Sequence, residues 1–244
     1  MRAEQDLTDL VTRLKDAAGS NLLSGILYGS AATGEFHPGH SDLNVLCIMQ
    51  SLGRDDLGKL HAASAWWAKK GHPAPLFFTL HELHHSADVF AIELLDMKAA
   101  HRVLYGEDVI APLHVPMDLH RLQVERELRN NTLRLRQHYV RHPADSRKTL
   151  ELMTSSITTF ATLFRHALMA LGEDPPLTKK STMDRIGSVL GFDPSPFYTI
   201  FEIREGHKRE REVDVQALFD AYLDRVVKVT EEIDHRLAVP PANK

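Results

Sequence analysis

Between Ala111 and Pro116 the texture of this 244-residue chain changes, and the change limits what it can fold into. Pro112 and Pro116 bar regular helix across the stretch, which reads as a connection between domains. Before it, short apolar runs alternate with helical patterns. After it, nearly everything has helical period. The expected architecture is α/β plus all-α: a small mixed-sheet domain over residues 1–115, then a helical bundle over residues 116–244.

In the first part, Leu7, Leu10, Val11, Leu14 and Ala18 fall on one helical face, and Gly19 ends that helix. Leu22 to Tyr28 and Leu43 to Met49 are apolar runs suited to buried strands. Asp55 to Lys70 reads as a helix, and Pro75 to Leu80 as a third strand. Val89 to Leu95 reads as either strand or the start of a helix, leading into Met97 to Leu104, which Tyr105-Gly106 closes. In the second part, Leu150, Met153, Ile157, Phe160, Phe164, Leu168 and Leu171 recur at three and four residues. So do Val215, Leu218, Tyr222, Val226, Val229, Ile233 and Leu237. With a helix from Leu119 to Tyr139, these stripes predict a bundle core. Shorter helices are expected between Thr182 and Gly206, broken around Asp193-Pro194-Ser195-Pro196.

Composition excludes several classes. Lys plus Arg number 29 against 33 Asp plus Glu, a net charge of -4. That balance gives no electrostatic footprint for nucleic acid or an anionic membrane. One cysteine, Cys47, allows no disulfide framework or cysteine-based zinc cluster within one chain and reads as a small core residue. No run approaches the ~20 apolar residues of a membrane-spanning helix. The N-terminus, Met1-Arg2-Ala3-Glu4-Gln5-Asp6, is polar and does not read as a signal peptide, so the expectation is a cytoplasmic protein.

The segment that bears on chemistry begins at Gly25-Ile26-Leu27-Tyr28-Gly29-Ser30 and ends at Ser41-Asp42-Leu43-Asn44-Val45-Leu46. A buried strand ends in Gly-Ser, where a helix can begin. Glycine lets a phosphate approach the backbone, and the unpaired N–H groups of a new helix favour an anion. The next strand starts at Asp42. Alternation sends Asp42 and Asn44 to one sheet face, so two oxygen ligands would converge beside the cradle. Mg²⁺ shared between protein oxygens and substrate phosphate is a usual arrangement in nucleotide chemistry.

These residues resemble the nucleotidyltransferase superfamily, which includes DNA polymerase beta and the kanamycin-type enzymes. The family pattern is an apolar residue, Gly-Ser, a spacer, then Asp-x-Asp or Asp-x-Glu between apolar residues. The runs Phe90-Ala91-Ile92-Glu93-Leu94-Leu95-Asp96 and Arg102-Val103-Leu104-Tyr105-Gly106-Glu107-Asp108 look like the end of the catalytic domain in bacterial members. The helical second half is similar to the bundles that follow such domains. The resemblance implies that Gly29, Ser30 and Ser41 contact the nucleotide, ATP or another NTP, and that Asp42 and Asn44 hold Mg²⁺. An acceptor hydroxyl would attack the α-phosphorus and pyrophosphate would leave. The acceptor is a small molecule or a protein, and by analogy with kanamycin-type members a homodimer is admissible.

The sequence also departs from the family. Asn44 stands where a second carboxylate is expected, and an amide brings no charge. The family places a third acid on the third strand, but Pro75-Leu76-Phe77-Phe78-Thr79-Leu80 has none. Glu82 and Glu93 are the nearest substitutes, and Glu93 and Glu125 are candidate bases. These departures keep open a second reading, a catalytically silent nucleotide-binding or interaction protein of the same fold.

Other signals invite different readings. His81-Glu82-Leu83-His84-His85 matches the H-E-x-x-H zinc hydrolase pattern, which needs both histidines one turn apart on a stable helix. The alternative is a short, His-rich turn. His37 and His40 could touch the nucleotide or face solvent. Lys98 and Arg102 could reach a phosphate or be solvated helix charges. From Arg121 to Arg141 arginines alternate with Glu125 and Glu127, which suits a solvated helix face with i,i+4 pairs. Within it, Arg134 and His138 resemble the Arg/His pair of HEPN ribonucleases, though more closely spaced.

Overall fold

The computed structural model describes residues 2–33, 42–143, 145–176 and 178–238. Two compact units divide the chain, Met1–Asp118 and Leu119–Lys244. No helix among the described residues is long and apolar enough to cross a membrane.

The first unit is built on a four-stranded mixed sheet. Its strands are β1 (Leu22–Tyr28), β2 (Asn44–Met49), β3 (Leu76–Thr79) and β4 (His101–Gly106). Their order is β3-β2-β1-β4; β1 is antiparallel to β2 and β4, while β2 and β3 run parallel. Helices α1 (Arg2–Ala18) and α3 (Arg54–Lys69) cover one face; a one-turn helix, α2 (Ser30–Thr33), follows β1. There Leu7, Leu10 and Leu14 meet Val45, Cys47, Met49 and the fully buried Trp67. On the opposite face, α4 (Leu80–His85) and α5 (Ala91–Ala99) bring Leu83, Ala91 and Leu94 over Ile26, Leu46 and Ile48. Because β2 is covered on both sides, its sequence is apolar nearly throughout.

Two expectations need correction and an open one is decided. The fourth strand, His101–Gly106, overlaps the end of the run Met97 to Leu104 and continues through Tyr105-Gly106, where the sequence suggested no strand. Of the two readings of Val89 to Leu95, the helix entry holds: the segment is the approach to α5 and its first turns. The Pro112–Pro116 stretch is more than a spacer: Ile110, Leu113 and Val115 are buried in the core beneath α5, since apolar side chains this close to the sheet gain by leaving water. Gly106 ends β4 at φ +74, and a side-chain carbon there would stand 2.0 Å from the Leu23 carbonyl oxygen. Only glycine lets the edge strand lie this close to β1.

The second unit is helical: α6 (His120–Arg141), α7 (Ser146–Ala170), α8 (Lys179–Leu190), α9 (Ser195–Arg204) and α10 (Val215–Ala238). Most of the predicted stripe residues are buried in its interior, where Phe160, Phe164, Phe197 and Tyr222 meet in edge-on and tilted ring contacts; Leu171 and Leu218 are only half-buried, Phe219 taking the interior place, and the Leu237 side chain lies outside the described residues. Asp145 caps α7 by accepting from the Lys148 N–H, and Gly191 closes α8 in the left-handed conformation. The break between α8 and α9 falls at Asp193-Pro194, as the prolines require.

Candidate active site

At one end of the sheet three residues from three strands stand abreast. Tyr28, the last residue of β1, pairs with Asn44, the first of β2, and with His101, the first of β4. Cross-strand partners share a face, here the one covered by α4 and α5. Gly29 follows Tyr28 with φ +80, and its carbonyl accepts from the Ala32 N–H, so the chain turns sharply out of the sheet into α2. A side-chain carbon at Gly29 would lie 3.1 Å from Asn44 Nδ2. The Asn44 amide thus packs beneath the glycine turn. Asp42 precedes Asn44 by two residues and is exposed; β2 begins at Asn44 and not at Asp42, so of the two only Asn44 is in the paired strand. Ser41, His37 and His40 lie outside the described residues; Ser30 opens α2.

Glu93 lies in the first turn of α5. Burial, and then the negative charge of Glu93, push the Tyr28 hydroxyl up to about 12. Glu93 therefore acts on the same end of the sheet as Asn44. His101 is held at both ring nitrogens, Nδ1 against the Met97 carbonyl at 2.9 Å and Nε2 against the Asp108 carboxylate at 3.0 Å. Asp108 also accepts from the Ile110 and Ala111 N–H groups. The Ala111 hydrogen bond foremost, and then His101, hold its carboxyl below the usual range. Tyr28 and His101 were not singled out from the sequence. Tyr28 stood only as the apolar residue before Gly-Ser, and the strand that carries His101 was not recognised.

Other candidates are engaged elsewhere. Glu82 accepts from the Thr79 N–H at 2.8 Å and the Thr79 hydroxyl at 2.9 Å, forming a capping box on the six-residue α4. Both contacts fall on one carboxylate oxygen, Oε2; they lower its pKa and tie the side chain to the start of α4. His81 and His85 stack on each other with centroids 3.9 Å apart, and His85 Nδ1 lies against the His81 carbonyl. Among the described residues no three His, Cys, Asp or Glu are placed to hold a metal together. The short His-rich helical turn is the reading the geometry fits. Lys98 donates to the Leu113 carbonyl and one guanidinium nitrogen of Arg102 donates to both carboxylate oxygens of Glu4, so both cations serve the fold. Glu125 accepts from Arg129 Nε at 2.7 Å, the i,i+4 pairing expected of α6. Burial pushes the Cys47 thiol up to about 12, which suits a core residue.

β3 carries Leu76, Phe77, Phe78 and Thr79 and no acid. Leu76 pairs with Leu46, two residues along β2 from Asn44, and is 41 % exposed. β3 therefore begins beyond the level of Asn44, and its first residue is an exposed leucine.

No protein-family model and no curated protein sequence matches this chain. Among solved structures, the fold is similar to that of spectinomycin adenyltransferase AAD(9) from Enterococcus faecialis, determined with ATP and spectinomycin. The TM-score is 0.57 at 14% sequence identity, over 92% of this chain and 99% of that one. The chain shares the fold of that structure, a small mixed-sheet domain followed by a helical region.

Proposed function

We propose that this chain binds a nucleoside triphosphate, ATP or another, at the Gly29–Ser30 turn and transfers its nucleotidyl group to a hydroxyl acceptor. The observation that carries the reading is the Tyr28–Asn44 register, with a left-handed glycine turn on one side and an exposed Asp42 on the other. A backbone without a side chain suits a polyphosphate, and a nearby carboxylate suits its counter-cation. The ATP-bound state of the similarly folded adenyltransferase supports an NTP as ligand.

In the proposed reaction the acceptor oxygen bonds to the α-phosphorus, and the bond from that phosphorus to the bridging oxygen breaks. Pyrophosphate leaves with the electron pair. The acceptor proton passes to a base, for which Glu93 is the candidate through its reach to the Tyr28 end of the sheet. Positioning and charge neutralisation carry most of such a transfer. Mg²⁺ in these sites takes one or two carboxylates and otherwise substrate phosphates and water. Asp42 with the amide oxygen of Asn44 fits that lower limit, so both would hold the ion, and it would supply neutralisation of phosphate charge.

A second reading, a silent nucleotide-binding protein, is favoured by the neutral Asn44 and by Leu76 on the third strand. Calorimetric titration with ATP, with and without Mg²⁺, separates the two. Binding that needs Mg²⁺, disappears in Asp42→Ala and leads to pyrophosphate release with an acceptor extract supports transfer. Tight binding indifferent to Mg²⁺, with no pyrophosphate released, supports the silent protein. Absence of ATP binding under every condition defeats both.

A further inference from the structure

A cleft of about 530 Å³ opens between α6 and α7 of the second unit. That volume falls in the range of ~300–1,000 Å³ typical of small-ligand pockets. Arg134 and His138 of α6, His142 of the turn and Lys148 of α7 contribute to its walls; Phe160 lines its apolar part. Glu151 is the sole acid among the lining residues described, and Arg147 Nε already holds it at 3.2 Å.

The pairing of the arginines along α6 is uneven. Arg129 is neutralised twice, by Glu125 at 2.7 Å and Asp234 at 2.8 Å. Arg134, one and a half turns further along, has no carboxylate within ion-pair distance among the described residues, yet it faces the cleft. Lys148 Nζ lies 3.3 Å from both ring nitrogens of His142, and its nearest carboxylate, Asp145, is 3.8 Å away and caps α7 through its other oxygen. A guanidinium, an ammonium and two imidazoles therefore converge on one recess, in a protein whose net charge is -4. Such a set of donors matches an anion with several acceptor oxygens and more than one charge, which a phosphate monoester supplies and a single carboxylate does not. Thr159 adds a hydroxyl and Phe160 an apolar surface for an organic body.

We propose that the α6–α7 cleft binds a small molecule carrying a phosphate monoester. The lining residues all belong to the second unit, and the proposal does not rest on the nucleotide reading. The test uses the full chain at fixed ionic strength, titrated with inorganic phosphate and with ribose 5-phosphate, and with ribose as the uncharged control. Expected is saturable binding of a phosphate probe at one site per chain, none of ribose, and a loss of affinity of about tenfold in Arg134→Gln and in Lys148→Gln, as befits loss of a charge-assisted hydrogen bond. Both positions are exposed, so the variants keep the wild-type circular dichroism spectrum, and Asp42→Ala binds the probes as wild type does. The proposal is overturned if neither phosphate probe saturates, if Arg134→Gln and Lys148→Gln bind at full strength, or if Asp42→Ala removes the binding and so moves it to the sheet.

Discussion

The amide nitrogen of Asn44 lies 3.1 Å from the point where a side-chain carbon on Gly29 would stand. The two residues are locked together: the turn keeps its left-handed backbone because nothing projects from it, and the amide fills the space so left. The neutral side chain therefore shapes the turn as well as taking the place of a metal acid.

Gly29→Ala strains this arrangement twice. A left-handed backbone costs an L-residue about 1 kcal/mol relative to glycine, and the new methyl group must displace the Asn44 amide. Urea unfolding is expected to show a loss of about 1–2 kcal/mol, and ATP titration a weaker complex. Wild-type affinity in the alanine variant would remove Gly29 from the ligand site.

Asn44→Asp has opposite expected effects with and without metal. A second carboxylate strengthens cation binding, so Mg²⁺-ATP binds more tightly, by about tenfold if one charge-assisted contact is gained. Without Mg²⁺ the same charge repels the phosphates, and ATP alone binds more weakly. Calorimetry under both conditions checks the two signs, and a shift in the same direction in both refutes the charge argument.

Tyr28 reports on Glu93. Its hydroxyl is held at about 12, first by burial and then by the Glu93 charge. Glu93→Gln is expected to lower that value while leaving it above 10, because burial remains. Tyrosinate absorbance, taken as a difference against Tyr28→Phe, measures it. Since the folded value is raised, the unfolded chain ionises first as pH climbs from 10 towards 12, and stability drains over that window. The drain is expected to begin at the same pH in Glu93→Gln and to be smaller.

Asp108 carries the opposite linkage. Its folded carboxyl is held below 3.8, so the stability it supplies is present above that value and is lost as pH falls through the lower, folded value. Asp108→Asn is expected to be less stable than wild type at neutral pH and to show a flatter decline under acid, when unfolding is followed from pH 7 downwards. Parallel acid profiles would mean that the Ala111 and His101 contacts do not set this ionisation.

The strands that were legible in the sequence are those whose residues share one environment. β2 is buried on both faces and reads as unbroken Val45–Met49; β1 ends where Gly29 must take a positive φ. β4 was hidden because it is a half-exposed edge. Its polar residues are satisfied by Asp108 and Glu4, one beyond the strand and the other at the far end of the chain. Meanwhile Met97 and Leu104, seven apart, mimic a helical stripe. Thr79 and Glu82 did carry the sequence signature of a capping box, but the histidines around Glu82 offered a more conspicuous pattern. The Gly-Ser and Asp-x-Asn elements could be read because they are local. The alignment of Tyr28, Asn44 and His101 could not, since strand pairing alone creates it.

That alignment gives the chain a late commitment during synthesis. The glycine turn emerges early, yet the third member of the row belongs to the last strand, beyond two helices and a parallel crossover. A nascent polypeptide halted before residue 101 would expose the Gly-Ser sequence without the surface that frames it.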